Sequence, residues 1–189
     1  SMNPYDNVGT TRLSSSVHDR FNRLVIDYQD APAEREIVRL RTGFGGAGDV
    51  GADAGTVAAD DPLQAAVVRD AVALTRATRE HLDVRQGSSV RGAIDLALVA
   101  AQLLAMRGIE TPGEGRVTAE HDERRRYAEC VLDAAQVALS GRIHVDAAAA
   151  TTPERVVHQI WEDHFILLPA AAASAPTGHG GRPTSGRSS

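Results

Sequence analysis

Gly87-Ser88-Ser89-Val90-Arg91-Gly92-Ala93-Ile94-Asp95-Leu96-Ala97-Leu98-Val99-Ala100-Ala101-Gln102-Leu103-Leu104-Ala105-Met106 joins a glycine-serine turn to a run that is too apolar for a surface position. A serine just ahead of an apolar run is a helix cap, because its side-chain oxygen can accept one of the first free amides, and either Ser88 or Ser89 can fill that role. From residue 96 to 104 the pattern is apolar nearly all round, as in a helix surrounded by others. The stretch therefore predicts a helix reaching Met106 at the centre of an α-helical bundle, and the most buried element of the chain.

The flanks read the same way. Asp61-Pro62 opens a helix to about His81, with Leu63, Val67, Ala71, Leu74 and Thr78 at three- and four-residue steps and Arg69, Arg76 and Arg79 on the other face. Asp30 and Pro32 are placed as cap and first-turn proline of an earlier helix to about Thr42, with Ile37, Val38 and Leu40 as its apolar side. Downstream, a helix over about 119–139 begins with Glu120, Asp122, Glu123 and Arg124-Arg125-Arg126 and turns apolar at Tyr127, Cys130, Val131, Ala134 and Val137. Thr152-Pro153-Glu154 starts a last helix through Val156, Ile160, Trp161 and Phe165. Glycine-rich loops are expected at 43–60 and 111–118. Residues 3–12 read as a loop and 13–21 as a short helical turn. The alternating, branched residues 23–28 read as a strand with no convincing partner. The alanine-, glycine- and serine-rich residues 169–189 read as a disordered tail.

Composition narrows the function classes. With 189 residues, 42% apolar and only 4% aromatic, the core has to be built from alanine, valine and leucine. A net charge of −5 argues against a dedicated nucleic-acid binder. The longest nearly uncharged apolar run, 96–106, is too short to span a bilayer. The single cysteine, Cys130, cannot form an intrachain disulfide, falls in an apolar helical pattern and reads as a buried small hydrophobe, which fits a cytoplasmic setting.

Several tempting patterns fail on context. Residues 43–48 formally fit GxGxxG, but a helix precedes them and more loop follows, so no pyrophosphate would meet a helix N-terminus there. His121, His144, His158 and His164 lack the tight helical spacing of zinc ligands. Arg124-Arg125-Arg126, beside three acidic residues, reads as a solvated face.

Three polar positions stand out physically. Asn3, held ahead of Pro4, is an uncharged group able to orient a water. Arg20 lies between Asp19 and Phe21, which leaves a guanidinium pointing from a rigid base. Arg91 falls in the first turn of the central helix, where free amides and the dipole already favour anions.

Asn3-Pro4, Gly9-Thr10, Asp19-Arg20-Phe21, the strand at 24–28 and Gly87-Ser88-Ser89-Val90-Arg91 occur in the order in which MoxR-type AAA+ ATPases carry sensor 1, its loop, the arginine finger, the closing strand and sensor 2. Ala33-Glu34-Arg35-Glu36-Ile37 resembles that family's first lid helix, and Thr75-Arg76-Ala77-Thr78-Arg79 its helix before sensor 2. The resemblance covers about residues 2–107. It implies a remnant of the α/β core over 1–29 (one short helix and one strand), a mainly α, helical-bundle AAA+ lid domain over 30–168, and the tail. It implies that Asn3 positions the attacking water, that Arg20 reaches a neighbouring subunit's γ-phosphate, and that Arg91 contacts nucleotide from the lid. The parent protein would be an ATPase with a chaperone-like remodelling or cofactor-loading role, using ATP and Mg2+. Its partners would be the upstream core, neighbouring ring subunits and a client, with von Willebrand A-type domains among the candidates the family suggests; neither nucleic acid nor membrane is expected as a partner. The residues 108–168 depart from the short family lid.

All 20 basic Lys/Arg residues are arginine, so a P-loop lysine is missing, and no hydrophobic strand ends in paired acidic residues. By itself the chain is expected to need no cofactor and to turn over no ATP. The rival expectation is a freestanding helical interaction module without nucleotide chemistry.

Overall fold

The computed structural model describes residues 26–44, 61–109 and 117–167. Helix α1 (Ala31–Thr42) starts where the Asp30 carboxylate accepts the Ala33 N–H at 2.8 Å and ends at Gly43, whose φ of 75° is the left-handed geometry that closes a helix onto the Arg39 carbonyl. Helix α2 (Pro62–Glu80) is capped by Asp61, which accepts the Leu63 N–H at 3.1 Å. Strand β1 (Val84–Gln86) follows, then α3 (Val90–Met106), with Ser89 at the cap position. Gly108, at φ 59°, turns the chain out of α3 and sends Ile109 back onto the core. Helix α4 (Val117–Leu139) runs into a 3-10 turn (Ser140–Arg142) and strand β2 (His144–Val145). Helix α5 (Pro153–Glu162), capped by Thr152, continues as a π-helical turn (Asp163–Leu167).

The bundle is mainly helical, and α3 packs against α1, α2 and α4. Its core is alanine, valine and leucine: Ala71, Ala97, Ala100 and Ala134 are fully buried beside Val67, Leu74, Leu96, Leu104 and Val131. Small side chains let the helix axes approach closely, and each fully buried valine or leucine contributes about 1.5–3 kcal/mol. Cys130 is buried among them, as its place in the pattern predicts.

Three expectations need correction. Helix α2, with eight buried residues against six in α3, is the more buried element, because Leu98 and Met106 of α3 face outward. Val137 and Leu40, assigned to apolar faces, are 73% and 60% exposed, since the partner helices cover a narrower stripe than the pattern suggests. Residues 26–28, expected to end a strand, are neither strand nor helix; the sheet among the described residues is instead the antiparallel pair β1 and β2, registered Val84 to Val145 and Gln86 to His144 across an irregularity. This two-stranded clip ties the turn after α2 to the connection between α4 and α5. Residues 1–25, which hold the rest of the predicted strand and the short helical turn, lie outside the described residues, as do 45–60 and the tail.

Candidate functional site

The turn ahead of α3 is built on α2. A Cβ at Gly87 would stand 2.7 Å from the Arg79 backbone, so only glycine lets the chain cross the helix this closely. The buried Ser88 N–H donates to Thr78 Oγ1 at 2.9 Å, and Thr78 in turn donates to the Thr75 carbonyl at 2.6 Å. Arg79 Nε donates to the Ser88 carbonyl at 2.7 Å. One turn into α3, Gly92 leaves room for Ser88 and for Leu139 of α4; a Cβ there would stand 2.9 Å from Leu139 Cδ2. Backbone and side-chain bonds thus hold both ends of the serine turn.

Arg79 is itself held. Its Nη1 donates to Glu34 Oε1 at 2.8 Å, and Arg76 Nη1 donates to Glu34 Oε2 at 3.1 Å and to the Gln29 carbonyl at 2.9 Å. Glu34 is 2% exposed. A carboxylate that deep needs its two charged partners, since an unpaired buried charge costs several kcal/mol. The Tyr28 ring covers the Arg79 guanidinium, 3.9 Å from Cζ to the ring centre, a cation–π contact.

Arg91 stands on the exposed outer side of the first turn of α3 and makes no hydrogen bond or ion pair to any described residue. Ser89 makes no side-chain cap bond, but its carbonyl accepts the Gly92 N–H at 2.9 Å in the first turn of the helix. A guanidinium without a partner among the described residues, at a helix start on a turn fixed from beneath, is an arrangement suited to an anion. Asn3 and Arg20, the other two predicted site residues, lie outside the described residues.

A second polar cluster sits between α2, α4 and the C-terminal π turn. Asp70, 3% exposed, accepts the Tyr127 hydroxyl at 2.8 Å and lies 3.2 Å from both Arg69 Nε and His164 Nε2. Burial pushes the Asp70 carboxyl up, but the His164 contact, the Arg69 charge and the Tyr127 bond outweigh it and hold the group below its ordinary value. Tyr127 reaches Asp70 from α4 and His164 from the π turn, so among the described residues the cluster reads as an interhelical tie. Among the described residues no three histidine, cysteine or acidic groups come together to hold a metal.

Pattern reading found Arg91 and its helix but missed Glu34 and Asp70 as buried ions. Glu34 looks like an ordinary first-turn acid, and Arg76 and Arg79 look like a solvated face. The one available signal was the pair of arginines three residues apart, which can reach a single carboxylate.

Fold and site together define a small, mainly helical bundle with a two-stranded clip and an arginine-bearing helix start. In comparisons with known proteins, no family model, no curated protein and no solved structure matches the chain.

Proposed function

We propose that the bundle is the lid domain of a MoxR-type AAA+ ATPase and that Arg91 is its sensor 2, contacting the phosphates of a bound nucleotide. The observation that carries this reading is the Arg91 guanidinium, unpartnered among the described residues, in the first turn of the 17-residue helix α3, on a turn pinned by Thr78 and Arg79. A cation held in this way stabilises charge as a phosphoryl group transfers, without having to reorganise at the moment of reaction. The order of Asn3-Pro4, Asp19-Arg20-Phe21 and Gly87 to Arg91 in the sequence supports the same reading. So does the meeting of Glu34 with Arg76 and Arg79, which brings together the two other segments that resemble the family lid.

On this reading Asn3 would orient the attacking water and Arg20 would act on the nucleotide of a neighbouring subunit. Grip on the triphosphate and on Mg2+ belongs to other parts of the complete protein, because this chain has no lysine and its described residues form no cluster of acids fit for the ion. The role in the cell would be chaperone-like remodelling, with lid motion coupled to ATP binding and hydrolysis.

The test is the longest open reading frame that contains this chain, expressed and assayed for Mg-ATPase. The expected result is turnover that Arg91→Ala lowers by about a hundredfold, the scale of losing one transition-state contact. The 189-residue chain alone is expected to show none. A complete product without ATPase activity, or robust activity in the isolated chain that survives Arg20→Ala with Arg91→Ala, would overturn the assignment and leave a helical interaction module.

A further inference from the structure

We infer that Arg79, clamped by Glu34 and covered by Tyr28, is a positioning residue that couples the segment entering the bundle to the turn that presents Arg91. Its consequence for nucleotide rests on the proposed role of Arg91; the coupling itself does not.

One end of the path is the entry segment, residues 26–30. Tyr28, half-exposed, lays its ring over the Arg79 guanidinium, and the Gln29 carbonyl accepts Arg76 Nη1 at 2.9 Å. Asp30 caps α1, and its carbonyl accepts the Glu34 N–H at 2.9 Å, so the position of Glu34 follows that of the entry segment. At the other end Arg79 Nε holds the Ser88 carbonyl, and Arg91 follows three residues later.

The guanidinium is planar and rigid, so Nε and Nη1 cannot move independently: a shift of Glu34 tilts the group that holds Ser88. Glu34 spends one oxygen on each arginine, and at 2% exposure it has no water to take the place of either. Arg79 Nη2 is buried without a hydrogen-bond partner among the described residues, so the ring of Tyr28 supplies the remaining stabilisation of that face. The unit therefore has two arrangements, engaged and released, rather than a continuum, because a half-released buried ion pair is costly. Strain on the chain at Tyr28 and Gln29 would then alter how firmly the Ser88 turn, and with it the start of α3, is held.

The experiment is residue-resolved hydrogen exchange on the full 189-residue chain. The Ser88 amide, bonded to Thr78, is the reporter, and the amides of Val157 and Ile160 in α5 are the reference. Tyr28→Ala is expected to speed Ser88 exchange by about tenfold while the reference stays within about twofold, and Tyr28→Phe, which keeps the ring, is expected to restore the wild-type rate. Unchanged Ser88 exchange in Tyr28→Ala, an equal rise at the reference amides, or failure of Tyr28→Phe to restore the rate would overturn the coupling. Tyr28 is half-exposed, so the alanine variant is expected to fold. Arg91→Ala should leave Ser88 exchange unchanged whatever it does to ATPase activity, so loss of the nucleotide reading and loss of the coupling give different results.

Discussion

The Tyr127 hydroxyl donates to Asp70 Oδ2 at 2.8 Å across 57 residues of sequence, tying α4 to α2 inside the core. Because the folded pKa of Asp70 is depressed, the native state binds fewer protons there than the unfolded chain. The stability it contributes is complete above the ordinary carboxylate value of 3.8 and is lost as pH falls through the lower folded value. Urea midpoints measured from pH 7 to pH 2 are expected to fall more steeply at the acid end for the wild type than for Asp70→Asn. At pH 7 Asp70→Asn is expected to cost about 1–3 kcal/mol. Parallel acid limbs in the two proteins would contradict this account.

Glycine substitutions should separate crowded from open positions. Gly87→Ala places a methyl 2.7 Å from the Arg79 backbone, and Gly92→Ala places one against Ser88 and Leu139, whereas a Cβ at Gly141 meets nothing within 4 Å. Alanine in a helix is ordinarily better than glycine by about 1 kcal/mol, so a loss at Gly92 would be due to crowding alone. The expected costs are about 1–3 kcal/mol at positions 87 and 92 and under about 0.5 kcal/mol at 141, read from chemical denaturation.

Trp161 is the sole tryptophan, and its Nε1 donates to the Ala128 carbonyl at 2.7 Å, docking α5 on α4. Its fluorescence should be blue-shifted in the native chain and should move red in one transition that coincides with loss of helical circular dichroism. Trp161→Ala is expected to cost about 3–5 kcal/mol. A fluorescence transition well ahead of the helical one would mean that α5 undocks separately.

The two arginines of the site should behave oppositely. Arg91, exposed and unpartnered among the described residues, is expected to change stability by less than about 0.5 kcal/mol when replaced by alanine. Arg79→Ala leaves Glu34 buried with only Arg76 and is expected to cost about 3–5 kcal/mol. Thermal unfolding of the two variants side by side checks both; a destabilised Arg91→Ala would show that its guanidinium is committed within the fold.

Helix starts were the most legible part of the chain. Asp30 with Pro32, Asp61 with Pro62 and Thr152 with Pro153 all cap where their chemistry predicts, because a cap is a bond between residues two or three apart and needs no tertiary context. The clip was illegible: Val84–Gln86 and His144–Val145 are too short to show alternation and exist only through their pairing. Arg91 could be located from the serine turn. What holds that turn could not, because Glu34 and Arg79 are 45 residues apart and each resembles an ordinary surface charge.

By itself, then, the sequence determined a lysine-free, alanine-, valine- and leucine-cored set of helices and the residues that begin them, since periodicity and capping are local. Only the tertiary structure decided which charges are buried. Glu34 and Asp70 lost their water when α1, α2, α4 and the C-terminal turn closed around them, and burial is a property of the assembled bundle that no single segment carries.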